Sequence, residues 1–163
     1  MTDAGFGVLR FDFTGLGSSD GEFANTNFSS NTADLVAAVD WLRQEHAAPQ
    51  LLVGDSLCGA ATVSVAGDIP EVLAVVTIGA PADTEHVAGL FEESSDEIAA
   101  EGEACVCLAG RPFTITQQFV DDLDAHRVVE RVAAMKKPLL VMHSPIDNTV
   151  GIDNAARIFE AAR

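Results

Sequence analysis

The sequence predicts an α/β fold, a mostly parallel β-sheet with flanking helices, in a single domain that covers residues 1–163. Short runs rich in valine, leucine and isoleucine alternate with segments of helical periodicity, and glycine or proline separates them. Such alternation is typical of parallel strands joined by right-handed helical crossovers. The chain is 48% apolar and 21% charged, so it has enough apolar material to bury a core without disulfides.

The first predicted elements are a strand and a helix. The run Gly7–Phe13 predicts a strand, and the glycine-rich loop Thr14–Gly21 follows it. Several candidate helix caps lie within residues 27–31, and residues Thr32–Glu45 form the first predicted helix. Its apolar residues repeat at helical spacing: Leu35, Val36, Val39 and Leu42.

Three more strands are predicted along the chain. The first of them ends at Gly54, Ser56 stands at the corner that follows, and a helix of small residues continues to about Ala66. The other two strands are Val72–Ile78 and Pro138–His143, and the last helix covers Asn154–Ala162.

The segment from about 82 to 134 loses this alternation, and we interpret it as a cap-like insertion after the third predicted strand. It contains an acidic helix-like patch at Glu92–Glu101 and a candidate hairpin around Cys105–Ile115. An amphipathic stretch, Gln117–Met135, completes it.

Composition excludes several classes of partner. The net charge of −16 disfavours nucleic acid and anionic membrane surfaces. No apolar run reaches membrane-spanning length and no signal sequence is visible, so we expect a cytoplasmic protein. The three cysteines (Cys58, Cys105 and Cys107) match no zinc spacing and are expected to be free thiols. The glycine-rich loop lacks both nucleotide-binding patterns, so we expect no cofactor and no metal.

Six short motifs resemble the α/β-hydrolase superfamily, and within it the bacterial serine hydrolases fused to, or encoded beside, an OsmC-like redox domain. The motifs are Arg10–Gly17, Gly54–Leu57, Thr77–Pro81, Gly110–Ile115, His143–Asp147 and Gly151–Ala156. The resemblance implies a partial α/β-hydrolase fold. It also implies hydrolysis of a small-molecule ester.

Ser56 is the candidate nucleophile that the resemblance implies. The usual hydrolase pattern is Gly-x-Ser-x-Gly, and Cys58 stands where the second glycine is expected. Ser56 would attack the acyl carbon, and the backbone N–H of Leu57 would be one donor of the oxyanion hole. The alternative is that Ser56 only caps the following helix. Cys58 is expected to be a buried packing thiol, and the alternative is a reactive one.

Asp147 follows the fourth predicted strand, where the resemblance implies the acid of the triad; the alternative is an aspartate that only shapes a turn. No histidine follows Asp147, although the chain order serine, aspartate, histidine is expected. His143 is the best substitute base by position, although a structural role is also open, and His86 is the alternative base. His46 is expected at the surface and His126 lies in the insertion.

The resemblance further implies a chain truncated at both ends. Related hydrolases carry strands before Val8 and a strand and helix after the last residue, so the predicted strands Gly7–Phe13 and 50–54 must pair directly or through another subunit. We therefore expect a homo-oligomer that completes the sheet.

The predicted function is a weak or promiscuous serine esterase. The alternative is a catalytically impaired, hydrolase-like binding or assembly module. The residues that bind the substrate are unknown, and Arg111 and Phe113 suit either an acyl pocket or ordinary packing.

Overall fold

The computed structural model describes residues 2–89, 91–108 and 110–163, and its centre is a parallel sheet. The three strands are β1 (Leu51–Asp55), β2 (Ala74–Ile78) and β5 (Leu139–Met142), in the order β1-β2-β5. Val53 pairs with Val76, and Val76 pairs with Leu140. The predicted parallel arrangement is confirmed, and three of the four predicted strands are present within one or two residues of their predicted limits.

Helices cover one face of this sheet. Helix α2 (Ser56–Ala66) packs on β1 and β2, and α1 (Phe28–Glu45) and α6 (Val128–Met135) flank it. Helix α7 (Asp153–Ala161) contacts β5 and α6. The core lies between these helices and the sheet, where α2 is buried along nearly its whole length because its residues are small enough for close packing.

The insertion forms a small layer of its own. It comprises α3 (Glu85–Gly89), a single 3₁₀ turn, α4 (Ser95–Glu101), the antiparallel hairpin of β3 (Glu103–Leu108) and β4 (Arg111–Thr116), and α5 (Gln117–Asp124). The predicted hairpin and acidic helix are confirmed. The amphipathic stretch divides into two helices, α5 and α6.

Polar contacts attach this insertion to the start of α1. The backbone N–H and the hydroxyl of Ser29 donate to the two carboxylate oxygens of Asp122 at 2.8 and 2.6 Å. The amide side chain of Asn27, the N-cap of α1, donates to Gln118 Oε1 at 2.8 Å. Helix α5 therefore rests on the N-terminal turn of α1, which fixes one side of the insertion.

The prediction of a strand at Gly7–Phe13 is wrong. These residues have no regular secondary structure, and they do not pair with β1, whose only partner in the described sheet is β2. A strand needs a neighbour for its backbone hydrogen bonds, and an apolar pattern alone does not supply one. Phe13 is buried, whereas Val8 and Phe11 are 50% and 39% exposed.

None of the described helices is both long and apolar enough to cross a membrane.

Candidate active site

The candidate nucleophile, Ser56, occupies a strained turn between a strand and a helix. Strand β1 ends at Asp55, which is extended, and α2 begins at Ser56 itself. Ser56 has a φ of 50°, in the left-handed region, which costs a non-glycine residue about 1 kcal/mol or more. The chain reverses direction within one residue, so the serine lies at the carboxyl end of the sheet.

Two glycines allow this turn to be tight. A Cβ on Gly54 would lie 2.5 Å from the carbonyl oxygen of Cys58 and 2.5 Å from Thr62 Oγ1. A Cβ on Gly59 would lie 2.7 Å from the Cβ of Ala80, at the end of β2. The first turn of α2 therefore presses against both strands, and it does so at Gly59 rather than at Cys58, where the hydrolase pattern has its second glycine.

Cys58 is a packing residue with an unreactive thiol. Burial raises the pKa of the Cys58 thiol to about 11, and the negative charges of Asp55 and Asp12 add to the effect. A thiol with that pKa is protonated at neutral pH and is a poor nucleophile. Cys105 and Cys107 are free and exposed on the hairpin, as the sequence led us to expect of free thiols.

Asp147 lies at the same end of the sheet as Ser56. Its Oδ1 accepts hydrogen bonds from the backbone N–H groups of Thr149 and Val150 at 2.9 and 3.0 Å, which fixes the carboxylate. Its Oδ2 points towards Gly79, at 3.4 Å from the position of a Cβ on that glycine. Gly79 directly follows β2, the strand next to that of Ser56, so the carboxylate reaches from the segment after β5 to the end of the neighbouring strand.

The spacing between these elements suits a bridging imidazole. The strands that carry Ser56 and Asp147 lie two places apart in the sheet, about 10 Å at ordinary strand spacing. An imidazole with a hydrogen bond at each end bridges roughly 7–8 Å, and side chains at both ends shorten the gap. The strand order thus leaves room for an imidazole between the elements that carry Ser56 and Asp147.

The Nε2 of His143 is occupied by a backbone carbonyl. Its side chain is 2% exposed, and its Nε2 lies 2.8 Å from the carbonyl oxygen of Val150 and 3.9 Å from Asp147 Oδ2. A carbonyl accepts only, so Nε2 carries a proton and donates it, and Nδ1 is an unprotonated acceptor in the neutral ring. Nδ1 is buried and has no hydrogen-bond partner among the described residues. This arrangement favours the structural role that the sequence left open for His143.

The other three histidines are placed as follows. His46 caps the C-terminal end of α1 and packs on the ring of Trp41. Nε2 of His126 lies 2.9 Å from the hydroxyl of Ser29, in the contact that attaches the insertion to α1. The backbone of His86 belongs to α3, but its side chain lies outside the described part of the structure.

The glycine-rich loop lies beside the Ser56 turn. Asp12 lies two residues before it, and the Asp12 carboxylate is close enough to contribute to the raised pKa of Cys58. The same carboxylate accepts a hydrogen bond from the backbone N–H of Ser18 at 3.0 Å, and Asp34 on α1 accepts one from Thr14 at 2.8 Å. Two backbone N–H groups of the loop, those of Thr14 and Ser18, are therefore already bound to carboxylates.

Among the described residues, no cluster of three or more histidine, cysteine, aspartate or glutamate side chains could hold a metal ion.

Sequence reasoning gave no role to Asn154, which supports this end of the sheet. Asn154 is 2% exposed, its Oδ1 accepts from the backbone N–H of Ala82 at 2.9 Å, and its Nδ2 donates to the carbonyl of Gly151 at 3.0 Å. It therefore ties the segment after β2 to the segment after β5. The sequence signal for it was an asparagine in the first turn of the last helix.

The insertion contains an apolar cavity of about 400 Å³ between α3, α4 and α5. Phe91, Ile98 and Val120 contribute to its lining, and Ser56, Asp147 and His143 are not among the described residues that line it. Phe113 packs on Phe23 with ring centroids 4.9 Å apart, and Arg111 lies over the Phe113 ring. Phe113 therefore packs between Phe23 and Arg111, and neither Arg111 nor Phe113 is among the residues that line this cavity.

Comparisons with known proteins agree on the kind of fold. The family described as "Serine aminopeptidase, S33" matches residues 1–101. The palmitoyl-protein thioesterase ABHD10 of Mus musculus, named as mitochondrial, is 29% identical over 153 residues, which are 90% of this chain and 50% of the relative. The chain therefore spans about half the length of the curated relatives it matches.

Solved structures show the same relation. The esterase domain of a Rhodothermus marinus protein is 44% identical, with a TM-score of 0.67 over 88% of this chain and 59% of that domain. Est1E of Butyrivibrio proteoclasticus, solved with ferulic acid bound, is 19% identical, with a TM-score of 0.73 over 92% of this chain and 61% of that one. The second likeness supports the fold alone.

Proposed function

Since the chain belongs to the serine aminopeptidase S33 family of the α/β-hydrolase superfamily, we propose that it is a serine hydrolase that cleaves short carboxylic esters. Ser56 Oγ attacks the acyl carbon, the alkoxide leaves with the proton that the serine gave up, and water then releases the acid from the acyl-enzyme. The described residues form part of the α/β-hydrolase fold.

The observation that carries this proposal is the backbone of Ser56. A φ of 50° at the junction of β1 and α2 supports its assignment as a nucleophile elbow, because a serine that merely capped a helix would be extended and would precede the helix. Such strain is retained when the surrounding structure requires it, and it is found most often at functional sites.

The electrostatic part of the proposal concerns Leu57 and Asp147. The backbone N–H of Leu57 lies in the first turn of α2, where N–H groups have no intrahelical acceptor and the helix dipole favours an anion. We assign it as one oxyanion donor. Asp147, held by Thr149 and Val150, is assigned to orient the imidazolium that forms when Ser56 is deprotonated.

The base is the open part of the mechanism. His143 would have to release the carbonyl of Val150 and turn its Nε2 towards the Ser56 turn, so its present contacts weigh against it. His86 lies in α3, soon after the end of β2 at the same edge of the sheet, and is the second candidate. Replacement of each by alanine distinguishes them, because loss of the base lowers kcat for ester hydrolysis by a factor on the order of 10³ or more.

Hydrolysis of a nitrophenyl acetate ester tests the proposal. Ser56→Ala is expected to reduce turnover to the level of buffer, and Ser95→Ala on α4 is the matched control with unchanged turnover. Equal turnover by the wild type and Ser56→Ala would refute it. The named activity of the mouse relative suggests a thioester as a further substrate to compare. A cytoplasmic location stays a prediction; the mouse relative is named as a mitochondrial protein.

A second candidate function is a binding or assembly module without catalysis. It is favoured by the engagement of His143 with Val150 and by an apolar sheet face that the described residues leave open. A chain that folds, binds partners and yet gives no acyl-enzyme would support this candidate over the first.

A further inference from the structure

Asn154 is a buried polar side chain that joins the segment after β2 to the segment after β5. It lies in the first turn of α7 and is 2% exposed. Its Oδ1 accepts a hydrogen bond from the backbone N–H of Ala82 at 2.9 Å, and its Nδ2 donates one to the carbonyl oxygen of Gly151 at 3.0 Å. Since a buried amide is costly unless its polar atoms are hydrogen-bonded, this side chain fixes both segments relative to α7.

The segment after β5 holds Asp147 through its own backbone. Asp147 Oδ1 accepts hydrogen bonds from the N–H groups of Thr149 and Val150. Gly151, the next residue, is bound twice by Asn154, whose backbone N–H also donates to the Gly151 carbonyl at 3.1 Å. Because Gly151 directly follows Val150, a displacement of Gly151 also moves an N–H group that binds the Asp147 carboxylate.

The segment after β2 is the part of the chain that the Asp147 carboxylate approaches. Asp147 Oδ2 lies 3.4 Å from the position of a Cβ on Gly79, which directly follows β2. Ala80 and Ala82 are 1% and 0% exposed, so the segment is packed into the core. Its N–H at Ala82 is the one that Asn154 accepts. Asn154 therefore holds the Asp147 loop and the segment at 79–82 at one separation.

A second contact between α7 and this segment is weaker. Arg157, one helical turn after Asn154, forms an ion pair with Asp83, and the two side chains are 47% and 23% exposed. Ion pairs at such exposure contribute little because water and salt screen them, whereas a buried N–H that loses its acceptor is left unsatisfied at a larger cost. Asn154 is therefore the contact that sets the separation, and Arg157 offers a control on the same helix.

We propose that Asn154 is a positioning residue that holds the Asp147 carboxylate in place for ester hydrolysis. This inference rests on the proposed function, in which Asp147 orients the imidazolium that forms when Ser56 is deprotonated. Asn154 acts through Asp147, because its own side chain is bound to Ala82 and Gly151. A shift of about 1 Å in a group that orients the reacting atoms can lower the rate about 100-fold.

Steady-state hydrolysis of nitrophenyl acetate by Asn154→Ala tests the catalytic part of the proposal. We expect kcat to fall by about 10- to 100-fold and KM to stay within about 2-fold of the wild type, because only the transition state needs the oriented imidazolium. A merely structural role would reduce the amount of folded protein and leave kcat per folded molecule unchanged. Arg157→Ala is the matched control, and its kcat should stay within about 2-fold of the wild type.

Amide hydrogen exchange, measured by NMR, tests the positioning without a substrate. The N–H groups of Thr149 and Val150 donate to Asp147, so in Asn154→Ala their exchange should become at least about 10-fold faster relative to the amides of β2. Arg157→Ala should leave this ratio unchanged. If Asn154→Ala does not fold, Asn154→Asp replaces it. Aspartate keeps an acceptor for Ala82 but has no donor for Gly151, and the same relative increase is expected.

Two results would overturn the proposal. One is exchange at residues 149 and 150 that rises no more than exchange in β2. The other is a wild type that hydrolyses the ester while Asn154→Ala retains the same kcat. A wild type without turnover refutes the proposed function instead, and the exchange ratio then still decides whether Asn154 fixes the Asp147 loop.

Discussion

Gly54 has no room for a side chain because the first turn of α2 packs directly against it. Gly54→Ala tests this contact. The added Cβ would lie 2.5 Å from the carbonyl oxygen of Cys58 and 2.7 Å from the Cα of Gly59. Both are backbone atoms in the first turn of α2, so a rotamer change cannot relieve the contact. Helix α2 has to move away from β1, and with it Ser56.

The magnitude follows from overpacking. A single extra carbon in a tight interior costs about 1–3 kcal/mol, and contact with backbone places this case at the upper end. In a chain of this size each kcal/mol lowers Tm by about 2–4 °C, so we expect a decrease of roughly 4–12 °C. Displacement of Ser56 should also reduce ester turnover by more than the loss of folded protein explains.

Thermal unfolding followed by circular dichroism measures the effect, with Gly7→Ala as the control. Gly7 has no atom within 4 Å of an added Cβ and no positive φ, so Gly7→Ala should leave Tm unchanged or slightly raised. The reasoning would be refuted if Gly54→Ala had a Tm within about 1 °C of the wild type.

Two further predictions concern Asn154 and the thiols. Asn154→Ala should lower the free energy of unfolding in urea by about 1–3 kcal/mol, because the buried N–H of Ala82 loses its acceptor; a loss below about 0.5 kcal/mol would count against that role. Alkylation by iodoacetamide at pH 8 should modify Cys105 and Cys107 about 100-fold faster than Cys58, because the pKa of about 11 leaves little Cys58 thiolate. The Cys58 rate should rise as the pH approaches 11 in the folded protein, and similar rates for all three cysteines at pH 8 would contradict the burial of this thiol.

Local sequence signals sufficed for the centre of the fold. The run 50–54, the corner at Ser56 and the small residues to Ala66 predict β1 and α2 almost to the residue, because strand pattern, turn and helix all agree there. Hairpin β3–β4 was predicted for the same reason, since both strands are local in sequence.

The failures depend on partners that a single sequence does not display. Gly7–Phe13 has the pattern of a strand, but no strand of the described residues lies beside it. Its backbone N–H and C=O groups therefore do not join a sheet. The short helix α3 is too brief for periodicity to reveal. His143 is close to Asp147 along the chain, but its ring direction is fixed by the carbonyl of Val150, a contact that spacing alone does not predict.

The central claim is that Ser56 is an activated nucleophile, and a fluorophosphonate probe tests it most directly. A single covalent adduct is expected on the intact protein, and tryptic mass spectrometry should map it to Ser56; Ser56→Ala should abolish it. Denatured protein serves as the control, since activation depends on the fold. No adduct on folded protein, or an adduct that persists in Ser56→Ala, would contradict the account.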